Sequence, residues 1–385
     1  MERQSTSTTS NAAPFTLHVA DDVLADLRQR LEHTRWPDEP PIGEPWQYGT
    51  DLGFLKQLVA YWQTAYDWRA QEAELNAFPQ FSVPIHGIDL HFVHIEGNGP
   101  NPTPLLLSHG WPGSVWEFHK LIPLLTEPDD PRDAFTVVAP SLPGYTLSFK
   151  PGQPRFGAPA IADTFARLMG DVLGYQRYAV QGGDWGAYVS ARLGYAHADH
   201  VIGVHLNLLP LRREPLTLEG PEADAYRHEL DYWLREETGY SSIQSTKPQT
   251  LAYALTDSPV GLAAWIVEKF RTWSDCDGDL SRTFSNDDLL TNIMLYWTTG
   301  AIGSSFWPYY ARLHEGWPLP ADRRVEVPTA YISFPRDILH PPRVLAERAF
   351  NIQRWTISPR GGHFAALEQP ERLAADIREF FRGLR

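Results

Sequence analysis

The sequence has few of the features that mark secreted, membrane or nucleic-acid-binding proteins. It contains one cysteine, Cys276, in 385 residues, so no disulfide can form within the chain and nothing indicates an oxidising compartment. Its 33 Lys and Arg residues are outnumbered by 47 Asp and Glu residues, and the net charge of −14 argues against nucleic acid or anionic lipid, since both bind basic surfaces. No apolar run approaches the ~18 residues of a membrane span. We therefore expect no membrane and no nucleic acid among the partners, and a cytoplasmic location.

Signal-peptide, nucleotide and calcium motifs are missing as well. Residues 1–14 are polar, without the apolar segment of a signal peptide, and are predicted to be a disordered tail. Neither GxGxxG nor GxxxxGK occurs in the chain. The acidic run DCDGDL resembles the start of a calcium loop, but Leu280 and Asn286 occupy the positions that require Gly and Glu. The sequence thus predicts neither a cofactor nor a metal ion.

Four stretches of the chain differ in their apolar patterns. Residues 15–82 have helical periodicity and many aromatic residues. Residues 83–207 and 321–385 alternate short apolar strands with helices, which is the order typical of a mostly parallel sheet. Residues 208–320, between them, carry helical patterns rich in Trp and Tyr. The chain therefore predicts an α/β core interrupted by a helical lid and preceded by an N-terminal helical segment packed on the core.

The sequence VQGGDWGAY ends an apolar strand and opens a helix. Gly182 and Gly186 lie two residues either side of Asp184, the small-x-nucleophile-x-small pattern of the nucleophile elbow in the α/β-hydrolase fold. Ser is the usual middle residue, and Asp there predicts a carboxylate nucleophile. On these residues alone, an aspartate that caps the following helix is the alternative.

An elbow nucleophile requires a histidine late in the chain and an acid between the two. His363 lies in the Gly-rich segment SPRGGHF, and Asp337 follows the predicted strand PTAYISF. The order Asp184, Asp337, His363 is therefore nucleophile, acid, base. Because a carboxylate is already ionised at neutral pH, the histidine would act on water, and Asp184 would form an ester with a saturated carbon.

The segment SHGWPGS, directly after the strand PLLL, predicts an oxyanion hole. In this fold that loop supplies one backbone N–H and the residue after the nucleophile supplies the other, which points to Trp111 and Trp185. His109 is predicted to fix the loop and not to react. The two donors would stabilise the tetrahedral species that forms when water attacks the ester.

Ten stretches together resemble the microsomal-type epoxide hydrolases, over nearly the whole chain from about Phe15. They are RWPDEP, LNAFPQF, LSHGWPGSVWEF, PSLPGY, QGGDWG, GYSSIQSTKPQT, SPVGLAAWIVEKF, YWTTGAI, FPRDILH and RGGHFAALEQPE. The resemblance implies an N-terminal helical segment wrapped on an α/β-hydrolase core, a helical lid, and trans addition of water to an epoxide without a cofactor. Because the sequence has no N-terminal membrane anchor, it resembles a soluble, bacterial-type member.

The resemblance further implies two lid tyrosines that hold and protonate the epoxide oxygen. The stretch GYSSIQSTKP identifies Tyr240, and YWTTGAIGSSFWPYY identifies Tyr309, with the adjacent Tyr310 as the alternative. Phenols, with a reference pKa near ~10, stay protonated at neutral pH and can donate to a developing alkoxide. The animal members carry Glu where this chain has Asp337, one methylene shorter, which puts the rate in doubt more than the role.

Two other functions are compatible with parts of the sequence. A haloalkane dehalogenase resembles this chain in fold, in the elbow aspartate and in the Trp that follows it, but needs halide donors and no tyrosine pair. A catalytically silent binding protein is opposed by the intact set Asp184, Asp337 and His363. We expect a small apolar or aromatic epoxide as substrate. No residue decides on a role in secondary-metabolite biosynthesis or on a homodimer.

Overall fold

The computed structural model describes residues 12–211, 218–317, 319 and 323–385. Residues 1–11, most of the predicted tail, lie outside the described residues. The strands of these described parts, labelled β1 to β9 along the chain, span Ala13–Phe15, Gln80–Ile85, Ile88–Ile95, Thr103–Ser108, Phe135–Pro140, Tyr178–Gly182, Val201–Leu206, Val325–Ser333 and Phe350–Ile357.

The strands form one sheet in the order β1-β2-β3-β5-β4-β6-β7-β8-β9. Strands β1, β2, β3 and β5 pair antiparallel, whereas every pair from β5 and β4 through to β9 is parallel. All residues of β5 and β6 are buried, as expected for strands that are covered on both faces. The predicted mostly parallel sheet is confirmed.

Helices surround the sheet and fill the insertion between β7 and β8. The α-helices, labelled α1 to α16, span Asp21–Glu32, Leu52–Thr64, Trp68–Asn76, Leu121–Thr126, Ala158–Arg167, Asp184–Ala196, Pro221–Tyr232, Gly239–Thr246, Pro248–Asp257, Pro259–Thr272, Asn286–Thr299, Ile302–Ser305, Trp307–His314, Arg343–Ala349, Ala365–Glu368 and Pro370–Arg382. Shorter 3-10 and π segments span Val115–Phe118, Pro131–Asp133, Thr146–Ser148, Leu168–Val172, Trp233–Glu237 and Leu280–Arg282.

The carboxyl ends of the parallel strands bring the predicted site residues to one edge of the sheet. The loop with Trp111 follows β4, Asp184 follows β6, Asp337 follows β8, and His363 follows β9. Parallel strands end on the same side, so residues far apart in sequence meet there without special contacts. This edge is where open α/β sheets bind their ligands.

The N-terminal boundary differs from the prediction. Ala13–Phe15, at the junction of the predicted tail and the predicted helical segment, form strand β1, which pairs with β2 through Ala13–Ser82 and Phe15–Gln80. The predicted tail therefore extends too far, and the segment after it begins as a strand. The pairing partner lies more than sixty residues away, so nothing in the local pattern predicts it.

The N-terminal helices lie against the lid. Helices α1 and α2 contact α10, and α2 and α3 contact α11. The Tyr61 hydroxyl donates to Asp287 Oδ1 at 2.9 Å, and the Thr50 hydroxyl donates to the Ala264 carbonyl at 2.7 Å. The predicted packing on the core is thus incomplete, because these helices also hold the lid.

The helices are short or polar by the standard of a membrane span. Within the described ranges, no single helix is long and apolar enough to cross a bilayer. Helices α9 and α10 reach the required length and apolar composition only as a pair, and the pair is bent by 116°.

Candidate active site

Asp184 occupies the sharp turn between β6 and α6. Its φ is +45°, a left-handed conformation that is strained for a residue with a side chain. A Cβ on Gly182 would lie 2.2 Å from the Gly186 carbonyl oxygen, and one on Gly186 would lie 1.8 Å from the Ser108 carbonyl oxygen. The turn can close only because both positions lack a side chain. The residue that caps α6 is Gly183, so the helix-capping alternative for Asp184 is wrong.

The three predicted residues of the triad lie together. His363 Nδ1 is 2.7 Å from Asp337 Oδ1, and His363 Nε2 is 3.6 Å from Asp184 Oδ2. Asp337 and His363 are buried, whereas Asp184 is partly open to a cavity. The imidazole therefore lies between the Asp337 and Asp184 carboxylates.

The surroundings of His363 determine its orientation and its charge. Its backbone N–H donates to the Trp273 carbonyl at 2.8 Å, and the Trp273 ring meets the imidazole edge-on at 5.1 Å. Burial lowers the pKa of His363, but the carboxylates of Asp337 and Asp184 outweigh burial and raise that pKa to about 10. The resting imidazole is therefore protonated at neutral pH and paired with two carboxylates.

The loop after β4 supplies a backbone donor to the nucleophile. The Trp111 N–H donates to Asp184 Oδ1 at 2.7 Å, which leaves Oδ2 on the side of His363. Trp185 stands in the first turn of α6, where backbone N–H groups have no partner within the helix. The Trp111 N–H thus contacts the Asp184 carboxylate, and Trp185, the other predicted oxyanion donor, directly follows Asp184 in α6.

His109 holds this loop in place. Its Nε2 accepts from the Leu142 N–H at 3.0 Å, and its Nδ1 is 3.1 Å from the Gly110 carbonyl oxygen. Burial lowers its pKa to about 4, so the ring is neutral, as an acceptor at Nε2 must be. These contacts fit the predicted role of fixing the loop.

Helix α11 of the lid clamps the same loop, which the sequence did not reveal. Asn292 Nδ2 donates to the Pro112 carbonyl at 2.8 Å, and the Tyr296 hydroxyl donates to the Gly113 carbonyl at 2.7 Å. Ser114 Oγ donates to Asn292 Oδ1 at 2.8 Å. A buried Asn within the apolar run LLTNIMLYW was the available signal, because buried polar side chains need partners. The lid therefore positions the oxyanion loop as well as covering the site.

The lid tyrosines face Asp184 from the opposite side. The Tyr240 ring stacks on the Trp111 indole at 5.2 Å, and the Tyr309 ring meets the Tyr240 ring edge-on at 5.8 Å. Burial raises the pKa of Tyr309 well above 10, so this phenol is protonated at neutral pH. Its hydroxyl finds no hydrogen-bond partner among the described residues. It is therefore free to donate to a group in the cavity.

Tyr310, the alternative to Tyr309, points elsewhere. Its ring stacks on Trp307 at 4.8 Å and on His314 at 3.9 Å, on the outer side of α13. The cavity beside Asp184 is lined by Tyr309 and Tyr240. The structure thus places Tyr309, and not Tyr310, at the cavity, a choice that the sequence left open.

Two cavities meet at Asp184. The larger one contains about 650 Å³ of space outside protein atoms, counted to its open mouth. Its walls are mainly aromatic and aliphatic, with Leu208, Leu209, Trp233 and Ile338 among them. The other, of about 370 Å³, is lined by polar groups that include His363 and Glu117. A mainly apolar chamber and a polar chamber therefore both reach Asp184.

Glu117 is a second site residue that sequence patterns did not single out. Its carboxyl lies where a side chain on Gly113 would have to pass, with Oε1 1.2 Å from the position of a Cβ there. Burial raises the pKa of Glu117 to about 8, with the Asp184 charge adding to the rise and His363 opposing it. The polar chamber thus holds a carboxyl group that can carry a proton near neutral pH.

No cluster of three or more His, Cys, Asp or Glu side chains in the described parts of the chain could hold a metal ion.

Comparison with known proteins bears on the kind of enzyme this is. A family model described as the epoxide hydrolase N terminus matches residues 12–118, and one described as the alpha/beta hydrolase fold matches residues 103–370. Epoxide hydrolase 1 of Oryctolagus cuniculus is 40% identical over 402 residues, covering 95% of this chain and 88% of that protein. This chain belongs to the epoxide hydrolase family.

Solved structures of epoxide hydrolases share the whole architecture. The juvenile hormone epoxide hydrolase of the silkworm Bombyx mori superposes with a TM-score of 0.89 at 32% identity, covering 98% of this chain and 95% of that one. The Aspergillus niger epoxide hydrolase superposes with a TM-score of 0.85 at 31% identity, covering 98% of each chain. The predicted α/β-hydrolase fold and epoxide hydrolase activity are confirmed. The haloalkane dehalogenase and the silent binding protein find no support in these relatives.

Proposed function

We propose that Asp184 is the nucleophile of this epoxide hydrolase and that it forms a covalent ester with one epoxide carbon. The observation that supports this most directly is that the two oxygens of its carboxylate have different neighbours. Oδ1 accepts the Trp111 N–H at 2.7 Å, and Oδ2 lies 3.6 Å from His363 Nε2. Oδ2 would attack the carbon, the carbon–oxygen bond of the ring would break, and the ring oxygen would take a proton.

Tyr240 and Tyr309 would supply that proton. Both phenols line the apolar cavity with Asp184, so an epoxide there would lie between the carboxylate and the hydroxyls. A phenol is a weak enough acid to remain protonated until the alkoxide develops. The protonated state of Tyr309 follows from its burial.

Hydrolysis of the ester would follow on the polar side. Ester formation removes the negative charge of Asp184, one of the two charges that raise the pKa of His363. The imidazole would then lose its proton more readily and could accept one from water held in the polar cavity. Water would attack the Asp184 carbonyl carbon, and the Trp111 and Trp185 N–H groups would stabilise the oxyanion. The diol would leave with the former Oδ2 as its new hydroxyl oxygen.

Single-turnover hydrolysis of styrene oxide in heavy-oxygen water tests this route. With enzyme in excess, the first diol should carry ordinary oxygen from Asp184, and one heavy oxygen should appear in the Asp184 carboxylate by peptide mass spectrometry. Heavy oxygen in the first diol would instead show direct attack by water and overturn the covalent route. An Asp184→Asn variant, which keeps the shape of the side chain, should form no ester.

The finer predictions about substrate, domains and assembly also belong to this proposal. The aromatic and aliphatic walls support an apolar or aromatic epoxide, because such walls favour apolar surface. The proposed core at 83–207 and 321–385 and the proposed lid at 208–320 follow the order of the helices and strands, whereas the proposed N-terminal segment at 15–82 begins in β1 and ends within β2. The cytoplasmic location, the possible homodimer and a role in secondary-metabolite biosynthesis stay predictions.

A further inference from the structure

One of the side chains that line the larger cavity carries a positive charge. Arg312, on α13, lines the chamber that opens from Asp184. Its guanidinium carbon is 5.2 Å from the centre of the Trp185 ring and 5.9 Å from the centres of the Tyr188 and Tyr309 rings. The cation is therefore held among aromatic side chains beside the proposed proton donor.

The hydrogen-bonding capacity of Arg312 is mostly unused. A guanidinium has five N–H donors, and aromatic rings attract the cation without offering a lone pair to those donors. The single acceptor within the described residues is the Tyr188 hydroxyl, at 3.3 Å from Nη1, and no described carboxylate forms an ion pair with Arg312. Other partly buried arginines differ: Arg354 pairs with Asp376 at 2.7 Å, and Arg69 pairs with Glu72 at 2.6 Å.

A partly buried charge without a counter-ion is costly unless something else supplies the missing acceptors. The Arg312 side chain lines the cavity beside Asp184, so a ligand bound there can supply the missing hydrogen-bond acceptors. Most of the other wall residues are aromatic or aliphatic, which suits the body of the same molecule. A carboxylate matches the planar fork of a guanidinium and forms two parallel hydrogen bonds with it.

The geometry points to Arg312 as a binding site for a carboxylate on the substrate, so that the preferred substrates are epoxides with an apolar body and a carboxylate away from the ring. This inference rests on the proposed function, since it uses the cavity beside Asp184 as the epoxide site. It adds a charged group to a substrate that the sequence predicted only as apolar or aromatic.

A matched pair of substrates tests the inference. Styrene oxide with a para carboxylate and the methyl ester of the same compound have similar shapes but differ in charge. Because the ester also withdraws more electron density from the ring, the decisive quantity is the change in preference between wild type and variant. Wild-type enzyme should have a kcat/KM higher for the carboxylate by roughly 10- to 100-fold, the range of charge-assisted hydrogen bonds, with most of the difference in KM. The Arg312→Met variant keeps the apolar stem without the charge and should lose this preference. Arg312→Lys should retain part of it.

Surface charge needs its own control. Arg167→Met removes a positive charge from the half-exposed side chain at the end of α5, which faces Asp171, and should leave the preference unchanged. Competitive inhibition by 4-ethylbenzoate provides a readout that does not depend on the chemical step. It should be weakened in Arg312→Met and unchanged in Arg167→Met.

Three results would overturn the inference. Equal or lower kcat/KM for the carboxylate in wild type would show that no such site operates. An equal loss on both substrates in Arg312→Met would assign Arg312 to lid packing or to support of the phenols. Failure of wild type on both compounds, with rapid hydrolysis of styrene oxide, would reject this substrate class and leave the proposed function intact. Failure on styrene oxide as well would instead reject the proposed function.

Discussion

Replacement of Asp337 by Asn should stop the enzyme at the covalent ester. Asp337 Oδ1 is 2.7 Å from His363 Nδ1, and among the groups that raise the pKa of His363 the Asp337 charge has the largest effect. Asparagine keeps the size of the side chain but cannot stabilise the imidazolium that forms when His363 takes a proton from water. By analogy with other buried Asp–His pairs, hydrolysis of the ester should slow by about 10²- to 10⁴-fold, or about 3–5 kcal/mol in activation free energy.

The pH dependence of the same variant has a definite sign. In the ester the Asp184 charge is gone, so the Asp337 charge is the largest remaining effect that opposes burial at His363. Without it, burial should hold the pKa of His363 below its ordinary value of 6.5. The acid limb of ester hydrolysis should therefore move to lower pH while the plateau rate falls.

Intact-protein mass spectrometry after rapid mixing with epoxide measures the outcome. Asp337→Asn should accumulate a species heavier by the mass of the epoxide, since Asp184 can still attack, and wild type should show little. Asp337→Glu keeps the charge and should retain much of the activity, with circular dichroism to confirm that both variants fold. Turnover by Asp337→Asn within a few-fold of wild type, or slow turnover without an adduct, would refute the reasoning.

Two further substitutions test the other parts of the site. Tyr309→Phe removes one of two proton donors and should slow ester formation by about 10²-fold with little change in substrate affinity, whereas Tyr310→Phe should match wild type. Stopped-flow tryptophan fluorescence would follow ester formation. Equal effects of the two changes would contradict the assignment of Tyr309. Gly186→Ala would place a Cβ 1.8 Å from the Ser108 carbonyl oxygen. We therefore expect the free energy of unfolding, measured in urea, to fall by about 3 kcal/mol or more, or no soluble protein to form. A variant as stable as wild type would show that the turn around Asp184 can open.

Local sequence rules predicted the catalytic strand-turn-helix well. The glycines around Asp184 are required by backbone contacts within a few residues, so their spacing alone indicates the turn. The order of Asp184, Asp337 and His363 follows from strands that all end at one edge of a parallel sheet. Such features depend on short-range sterics and on topology, both of which leave patterns in the sequence.

Contacts between distant segments left no comparable pattern. Strand β1 exists because β2 offers it a partner, and α11 holds the oxyanion loop through Asn292 and Pro112, which are 180 residues apart. Glu117 becomes a site residue only because Gly113 leaves space for its carboxyl. In each case the side chain is ordinary in its own segment and acquires its role from a neighbour elsewhere in the chain.

The sequence by itself determined the fold class and predicted the nucleophile, its acid and its base, because those predictions depend on local turns and on the order of elements along the chain. The tertiary structure decided which lid groups reach the substrate. Tyr309 and Tyr310 are adjacent on one helix, where successive side chains point about 100° apart, so only the packing of α13 selects Tyr309. The same packing turns Arg312, one turn further on, into the cavity, and a charge there is visible only once its surroundings are known.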